Sequence, residues 1–241
     1  AFMTYHAENE NLLGVWYDAE GNQISGNSAN PETDVNKRYS TDWQDEIYRS
    51  AFSMDHSVSA TGAWKWLPYR FSVGYTDEQG VLKTSSFNRT TLGTSLSPKF
   101  LDNHLSVQVN ANASFIKNQF ADQGAIGAAV QMDPTKPVKT DDGQYFYWLN
   151  NSGEASTQST DNPVAMLEQR EDKSNANRIF GNIALDYKMH FLPDLRANLN
   201  LAYDKTSNDG TVFAPNTAMF TTSGYGFGYF NEYTYENENK Q

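Results

Sequence analysis

Residues 104–117 read His104-Leu-Ser-Val-Gln-Val-Asn-Ala-Asn-Ala-Ser-Phe-Ile-Lys117, and their alternation decides the fold. Leu105, Val107, Val109, Ala111, Ala113 and Phe115 take every second position, with Ser106, Gln108, Asn110, Asn112 and Ser114 between them. A period of two marks a β-strand with one apolar and one polar face. Strands of soluble sheets usually run about five or six residues, whereas about ten tilted residues cross a bilayer. The polar face carries amides and hydroxyls rather than charges, which suits a wet, crowded lumen.

The unit recurs on both sides. Val58 and Ala60 oppose Ser57, Ser59 and Thr61, and Tyr69, Phe71, Val73 and Tyr75 alternate with Arg70, Ser72, Gly74 and Thr76. Thr90, Leu92, Thr94 and Leu96 share one side of the next run. Further on, Gly181, Ile183, Leu185, Tyr187 and Met189 form one such face, and Leu195, Ala197, Leu199, Leu201 and Tyr203 another. The links at 65–68, 98–103 and 191–194 are short. Those at 77–82, 118–176 and from 205 onward vary, and two are long. Up-and-down connectivity collects the short links on one rim, as in outer-membrane barrels with short periplasmic turns and longer external loops. The expected fold is therefore all-β, part of a large antiparallel transmembrane β-barrel with long extracellular loops.

Composition narrows the class. Hydrophobic residues make up 38% of the 241, yet aromatics reach 14%, and no run of about 18 apolar residues offers a membrane helix. That balance suits barrel strands, which hide apolar residues among polar ones and carry Tyr and Phe girdles; an aromatic-rich soluble sandwich shares it. A net charge of −11 argues against nucleic acid, which needs a basic stripe. The absence of cysteine excludes thiol catalysis, disulfides and Cys-ligated zinc.

The expected organisation has five parts. Residues 1–50 are an irregular segment leading into the barrel, rich in turn chemistry such as Asp18-Ala-Glu-Gly-Asn22. Within it, Thr41-Asp-Trp-Gln-Asp-Glu-Ile-Tyr48 reads as a helical turn capped by Thr41, or as a corner anchored by Trp43. Residues 51–117 hold barrel strands in two hairpins, 118–176 a long extracellular loop, and 177–205 a further hairpin. Residues 206–241 form an extracellular loop and the start of the next strand. The chain shows no basic, apolar leader at Ala1 and no closing aromatic strand at Gln241, so the expectation is an internal piece of a longer protein.

Several stretches together resemble the SusC/RagA type of TonB-dependent nutrient transporters of the Bacteroidetes outer membrane. They are Thr41-Asp-Trp-Gln-Asp-Glu-Ile-Tyr-Arg49, Tyr69-Arg-Phe-Ser-Val-Gly-Tyr-Thr76 with Gly80-Val-Leu-Lys-Thr84, and Gly124-Ala-Ile-Gly127 with Met132-Asp-Pro-Thr-Lys-Pro137. Asn162-Pro-Val-Ala165 and Gly181-Asn-Ile-Ala-Leu-Asp-Tyr187 with Leu192-Pro-Asp-Leu195 complete the set, in the family's order. The resemblance implies a barrel of about 22 strands closed by an N-terminal plug. It also implies a place in the cell outer membrane among its lipids, and uptake of oligosaccharides or peptides energised through TonB at the plug region. A SusD-like surface lipoprotein as lid and the remaining barrel strands are the implied partners.

No residue pattern supports an enzyme or a cofactor. His6, His56, His104 and His190 are scattered, and Asp133, Asp141 and Asp142 lack a calcium-loop spacing, so no metal is expected. Glu168, Glu171 and Asp172 are the nearest approach to paired glycosidase carboxylates and read better as a solvated loop helix. The aromatic cluster Tyr145, Phe146, Tyr147 and Trp148 is the candidate ligand contact, since flat rings stack on sugars or pack peptide side chains; packing against loops or the lid is the competing expectation. Trp64, Trp66, Tyr69 and Tyr75 read as interface girdle. Arg70, Arg89, Arg178 and Arg196 are expected on the lumen-facing side. The alternative to a transporter segment is a soluble or secreted all-β glycan-binding module, which requires a second sheet covering the apolar face.

Overall fold

The computed structural model describes residues 39–150, 156, 158–192, 194–221 and 228–241, and the backbone of one short antiparallel pair, β1 (Trp16–Tyr17) and β2 (Gln23–Ile24). The remainder of the segment expected at 1–50 lies outside the described residues. Seven long strands make one antiparallel sheet: β3 (Ser53–Trp64), β4 (Leu67–Gln79), β5 (Ser86–Leu96), β7 (Leu105–Gln119), β8 (Glu171–Lys188), β9 (Arg196–Ala214) and β10 (Tyr229–Lys240). Their spatial order follows the chain, with the two-residue β6 (Lys99–Phe100) paired to the start of β7. Among the described residues the outer edges of β3 and β10 have no partner strand.

Register carries the alternation across the whole sheet. One row of neighbours runs Val58, Val73, Leu92, Ala113 and Ile179 through five strands. Another runs Tyr69, Leu96, Val109, Ile183 and Leu201. Val58 is 74% exposed, Val73 52% and Leu201 53%, so nothing described covers this apolar face. A soluble sandwich would bury it under a second sheet. The interleaved rows are polar: Ser59, Ser72, Gly93, Asn112, Phe180 and Asp204, then Arg70, Ser95, Asn110, Asn182 and Ala202. Gly181 lies opposite Ala111, where an added Cβ would collide with the Asn110 carbonyl oxygen, so the close approach of β7 and β8 requires glycine there.

The apolar belt spans Leu67 to Tyr75 on β4, Leu105 to Phe115 on β7 and Ile179 to Tyr187 on β8, close to the height a tilted strand needs to cross a bilayer. The strands outrun the belt. β8 has 18 residues and β9 has 19. The boundaries expected at 177 and 205 are therefore corrected to Glu171 and Ala214, and the link expected at 77–82 shifts to 80–85. Alternation stops where the rows of apolar residues end. The backbone ladder does not stop there, because pairing such as Lys173 with Thr211 needs only the neighbouring strand.

The connections sort by end. Lys65 and Trp66 link β3 to β4, 97–104 link β5 to β7 around β6, and 189–195 link β8 to β9, all at one end. Leu101, Asp102 and Asn103 adopt positive φ in this set of turns. At the opposite end lie 80–85, 120–170 and 215–228.

The buried core is in those loops, not in the sheet. Three short helices pack together: α1 (Trp43–Ile47), α2 (Gly124–Gln131) and α3 (Pro163–Glu168). Trp43, Ile47, Leu82, Ala125, Ala129, Met132, Phe146, Val164 and Leu167 form one cluster. Ile47 and Leu167 are completely enclosed, each contributing about 1.5–3 kcal/mol relative to exposure. The stretch expected as a long extracellular loop at 118–176 is thus a folded cap, because three apolar helix faces and the 80–85 turn bury against one another. Asp42, not Thr41, caps α1, accepting from the Gln44 and Asp45 amides at 3.0 and 3.2 Å. Thr41 instead donates to the Lys136 carbonyl at 2.7 Å, while Trp43 is the expected anchor and donates through Nε1 to the Asp133 carbonyl at 2.9 Å.

Candidate functional site

The aromatic segment 145–148 lies on the folded cap. Lys139 and Tyr145 form a bridge, so residues 145–148 run extended and send alternate rings to opposite sides. Phe146 is 1% exposed, donates its amide to the Val138 carbonyl at 3.1 Å, and meets Trp148 edge-on at 5.3 Å. The Lys136 ammonium sits over both rings, at 5.5 and 5.0 Å. Phe146 therefore leaves the expected ligand-contact set, because its ring closes the cap's core. Tyr145 donates its hydroxyl to Glu168, with Lys139 4.5 Å above the ring and 4.0 Å from the same carboxylate. Tyr147 donates to the Gln169 side chain at 2.9 Å. Burial raises both phenols well above their ordinary pKa, and for Tyr145 the Glu168 carboxylate adds to the effect. These rings join the loop to α3.

The buried polar centre of the cap is Asn162, fully enclosed. Its Oδ1 accepts from the Val164 and Ala165 amides at 3.1 and 3.2 Å, capping α3 ahead of Pro163 at the first helical turn. Its Nδ2 donates to the Val138 and Phe146 carbonyls at 2.8 and 3.2 Å. Arg170 clamps the base of the cap to the sheet, donating to Asp122 at 2.8 Å and Asp172 at 3.2 Å.

The second candidate surface is the polar face of the sheet. Arg70, Arg89, Arg178 and Arg196 all lie on it by register. Arg178 grips Asp204 with two prongs, Nε at 3.0 Å and Nη2 at 2.6 Å. Arg196 reaches Asp186 at 3.4 Å, and Arg89 donates to Thr76, which donates on to Asp55. Between the arginines runs a relay that sequence reasoning missed. Ser95 donates to Asn110 at 2.8 Å, Asn110 to Asn182 at 3.0 Å, and Asn182 to Asn200 at 3.0 Å. Alternation placed each asparagine on a polar face, but only register brings four strands' side chains into one line.

The remaining chemical candidates separate or neutralise. Glu171 pairs with Lys173 at 2.7 Å, Asp172 with Arg170, and Glu168 is held by Tyr145, so each of these three carboxylates is engaged by a neighbour. Asp133 accepts from the amide and hydroxyl of Thr135, and Asp142 accepts from Thr140, as turn acids do. Among the described residues no group of three His, Asp or Glu side chains converges as metal ligands. His104 and His190, scattered in sequence, stack at 4.0 Å on the short-turn end.

No family model matches the chain. Two curated proteins do. TonB-dependent receptor SusC of Bacteroides thetaiotaomicron is 40% identical over 233 residues, which cover 90% of this chain and 22% of SusC. TonB-dependent receptor P26 of Formosa agariphila is 24% identical over 208 residues, 82% of this chain and 20% of P26. The chain thus spans about a fifth of the length of these relatives. Among solved structures, the RagAB peptide importer in its closed-closed state superposes with a TM-score of 0.65 at 18% identity, covering 84% of this chain and 22% of that one. Its open-open state gives 0.64 at 16% identity, covering 84% and 23%. An open sheet with an uncovered apolar belt, a polar opposite face and loops collected at one end is one sector of a barrel wall, and with the identity to SusC it follows that this chain belongs to the SusC/RagA-type TonB-dependent receptors, of which it holds consecutive barrel strands and their long loops.

Proposed function

We propose that the protein containing this chain imports oligosaccharides or peptides across the outer membrane, with the chain forming part of the barrel wall and of its outer loops. In this reading the apolar belt faces lipid and the polar face lines the lumen, so Arg70, Arg89, Arg178 and Arg196 border the path. The remaining strands of the same protein complete both open edges, since an unpaired edge in lipid leaves backbone groups unsatisfied at a cost of several kcal/mol each. TonB acts through a plug held elsewhere in the protein. A SusD-like surface lipoprotein covers the mouth, resting on loops such as the folded cap, where Tyr145, Tyr147 and Trp148 present their partly exposed edges to lid or ligand. No catalytic step is assigned to the protein.

The single observation carrying this reading is the two-sided register: rows of exposed apolar residues through five strands alternate with rows of hydroxyls and amides. The test is uptake of radiolabelled oligosaccharides and peptides by cells carrying the full-length gene, with and without a functional TonB. Uptake of one class that vanishes without TonB is the expected result. Equal uptake in both strains refutes energised import.

A further inference from the structure

We propose that the outward side of the sheet, just beyond the apolar belt, holds a binding site for the phosphorylated headgroup of an outer-leaflet glycolipid. The site rests on the membrane reading above, which gives the belt its lipid and sets the long loops outside the cell. Past Phe115 and Ile179 the outward positions change character. Asn88, Lys117 and Asn175 form one row of neighbours across β5, β7 and β8, and Ser86, Gln119 and Lys173 form another. By alternation these six share the face of Leu92, Phe115 and Ile179. All six carry hydrogen-bond donors and none is an acid. Together they line a concavity of about 320 Å³, bordered on its β9 side by Asp209 and Thr211.

The patch stands at headgroup height. Lys117 and Gln119 follow Phe115 by about 7 and 13 Å along β7, or about 5 and 10 Å of height once the strand is tilted. The polar layer of a bilayer begins where the hydrocarbon ends and is about 5–8 Å deep on each side. The carboxylates facing the patch are Asp77 on β4, Asp209 on β9 and Glu171 beyond Lys173. Asp209 accepts from Asn175 at 2.8 Å, and Glu171 from Lys173 at 2.7 Å. Both contacts are exposed, and exposed ion pairs contribute little, so Lys173 is open to a stronger anion. Lys117 is exposed and pairs with no carboxylate among the described residues.

Phosphate takes charge-assisted hydrogen bonds from ammonium groups. Lys117 and Lys173 sit diagonally on adjacent strands, about 7–8 Å apart in such a pairing, so their flexible four-carbon arms reach one phosphate between them. The amides and hydroxyl around them match the hydroxyls of a sugar that carries it. A free phosphate would use the lysines alone. A lipid also lays its chains along Phe115 and Ile179, directly below, and this continuity of donor patch and apolar belt selects an anchored headgroup over a soluble anion.

The experiment uses the full-length protein in detergent, with native mass spectrometry counting the lipids retained after titration with diphosphoryl lipid A or with the same lipid dephosphorylated. The wild type should retain the phosphorylated form at a tenfold or more lower concentration. Lys117→Gln and Lys173→Gln together should abolish that preference, and Lys117→Arg with Lys173→Arg should keep it within threefold. Lys99→Gln, at the opposite end of the sheet, should leave it unchanged, and all variants should keep the wild-type melting temperature. Equal retention of the two lipids by the wild type overturns the site, as does an unchanged preference in the paired glutamine variant. A fall in that variant's melting temperature with equal loss of both lipids also overturns it, because the lysines then support the fold. Millimolar inorganic phosphate should not displace the lipid; displacement means that a free anion is the occupant and overturns the lipid assignment. TonB-dependent uptake is scored separately. Energised import without a lipid preference refutes the site alone, whereas a lipid preference without energised import refutes the transport reading alone.

Discussion

Asn162 offers the sharpest test of how the cap is built. Its side chain makes four hydrogen bonds inside a fully enclosed site, two accepted from helix amides and two donated to carbonyls of the neighbouring loop. Asn162→Ala removes the cap of α3, worth about 1 kcal/mol. It also leaves the Phe146 carbonyl without the amide that serves it, at about 1–3 kcal/mol for a buried unsatisfied group; the Val138 carbonyl keeps the Phe146 amide. With the small void, the cap should lose about 3–4 kcal/mol. Asn162→Asp separates the two roles. Aspartate caps a helix as well as asparagine does, but it replaces the donating Nδ2 with an oxygen facing two carbonyls. It should therefore lose at least as much as alanine at neutral pH. Hydrogen exchange of the amides in α2 and α3, followed in the full-length protein in detergent, reads the local stability directly. Both variants should exchange there roughly a hundredfold or more faster, since each 1.4 kcal/mol is a factor of ten, while the amides of β7 and β8 stay protected. Wild-type exchange in Asn162→Asp would mean that capping alone matters and that the carbonyl contacts contribute nothing.

Three further outcomes follow from the same structure. Val73→Arg, in the exposed apolar row, should cost about 2–4 kcal/mol of barrel stability, whereas Ser72→Arg on the opposite face should cost far less; the folded fraction in lipid vesicles against urea measures this, and the reverse order would mean the faces are assigned backwards. Arg170→Lys keeps the charge but cannot reach Asp122 and Asp172 together, so the cap base should loosen by about 1–3 kcal/mol, seen as faster protease cleavage near 120–124. Burial raises the Asp161 carboxyl above its ordinary value, so its ionised form destabilises the folded cap. That penalty is absent below the unfolded pKa and grows as pH rises through the folded one. Asp161→Asn should therefore stabilise the cap at neutral pH, with the difference closing on acidification below the ordinary carboxylate pKa; an advantage that grows toward low pH would contradict the assignment.

Local sequence was enough for the two-faced strands. Leu105 to Phe115 alternates at a period of two, so the apolar and polar faces of that strand are written residue by residue. The sorting of links followed from the same pattern. Three things were not legible. Strand ends beyond the belt, such as Glu171 and Ala214, carry no regular alternation, and only the backbone ladder persists there. The cap between 120 and 170 looked like loop because its core is assembled from single turns far apart in sequence, Trp43, Leu82, Ala125, Phe146 and Leu167, and no one segment shows a period. Phe146 departs from its expectation for that reason: the aromatic run 145–148 suggested an open surface, yet this ring closes a core. Face is a property of one strand and can be read from it. Register, and the meeting of distant turns, are properties of pairs, and only the folded sheet decides which residues they bring together.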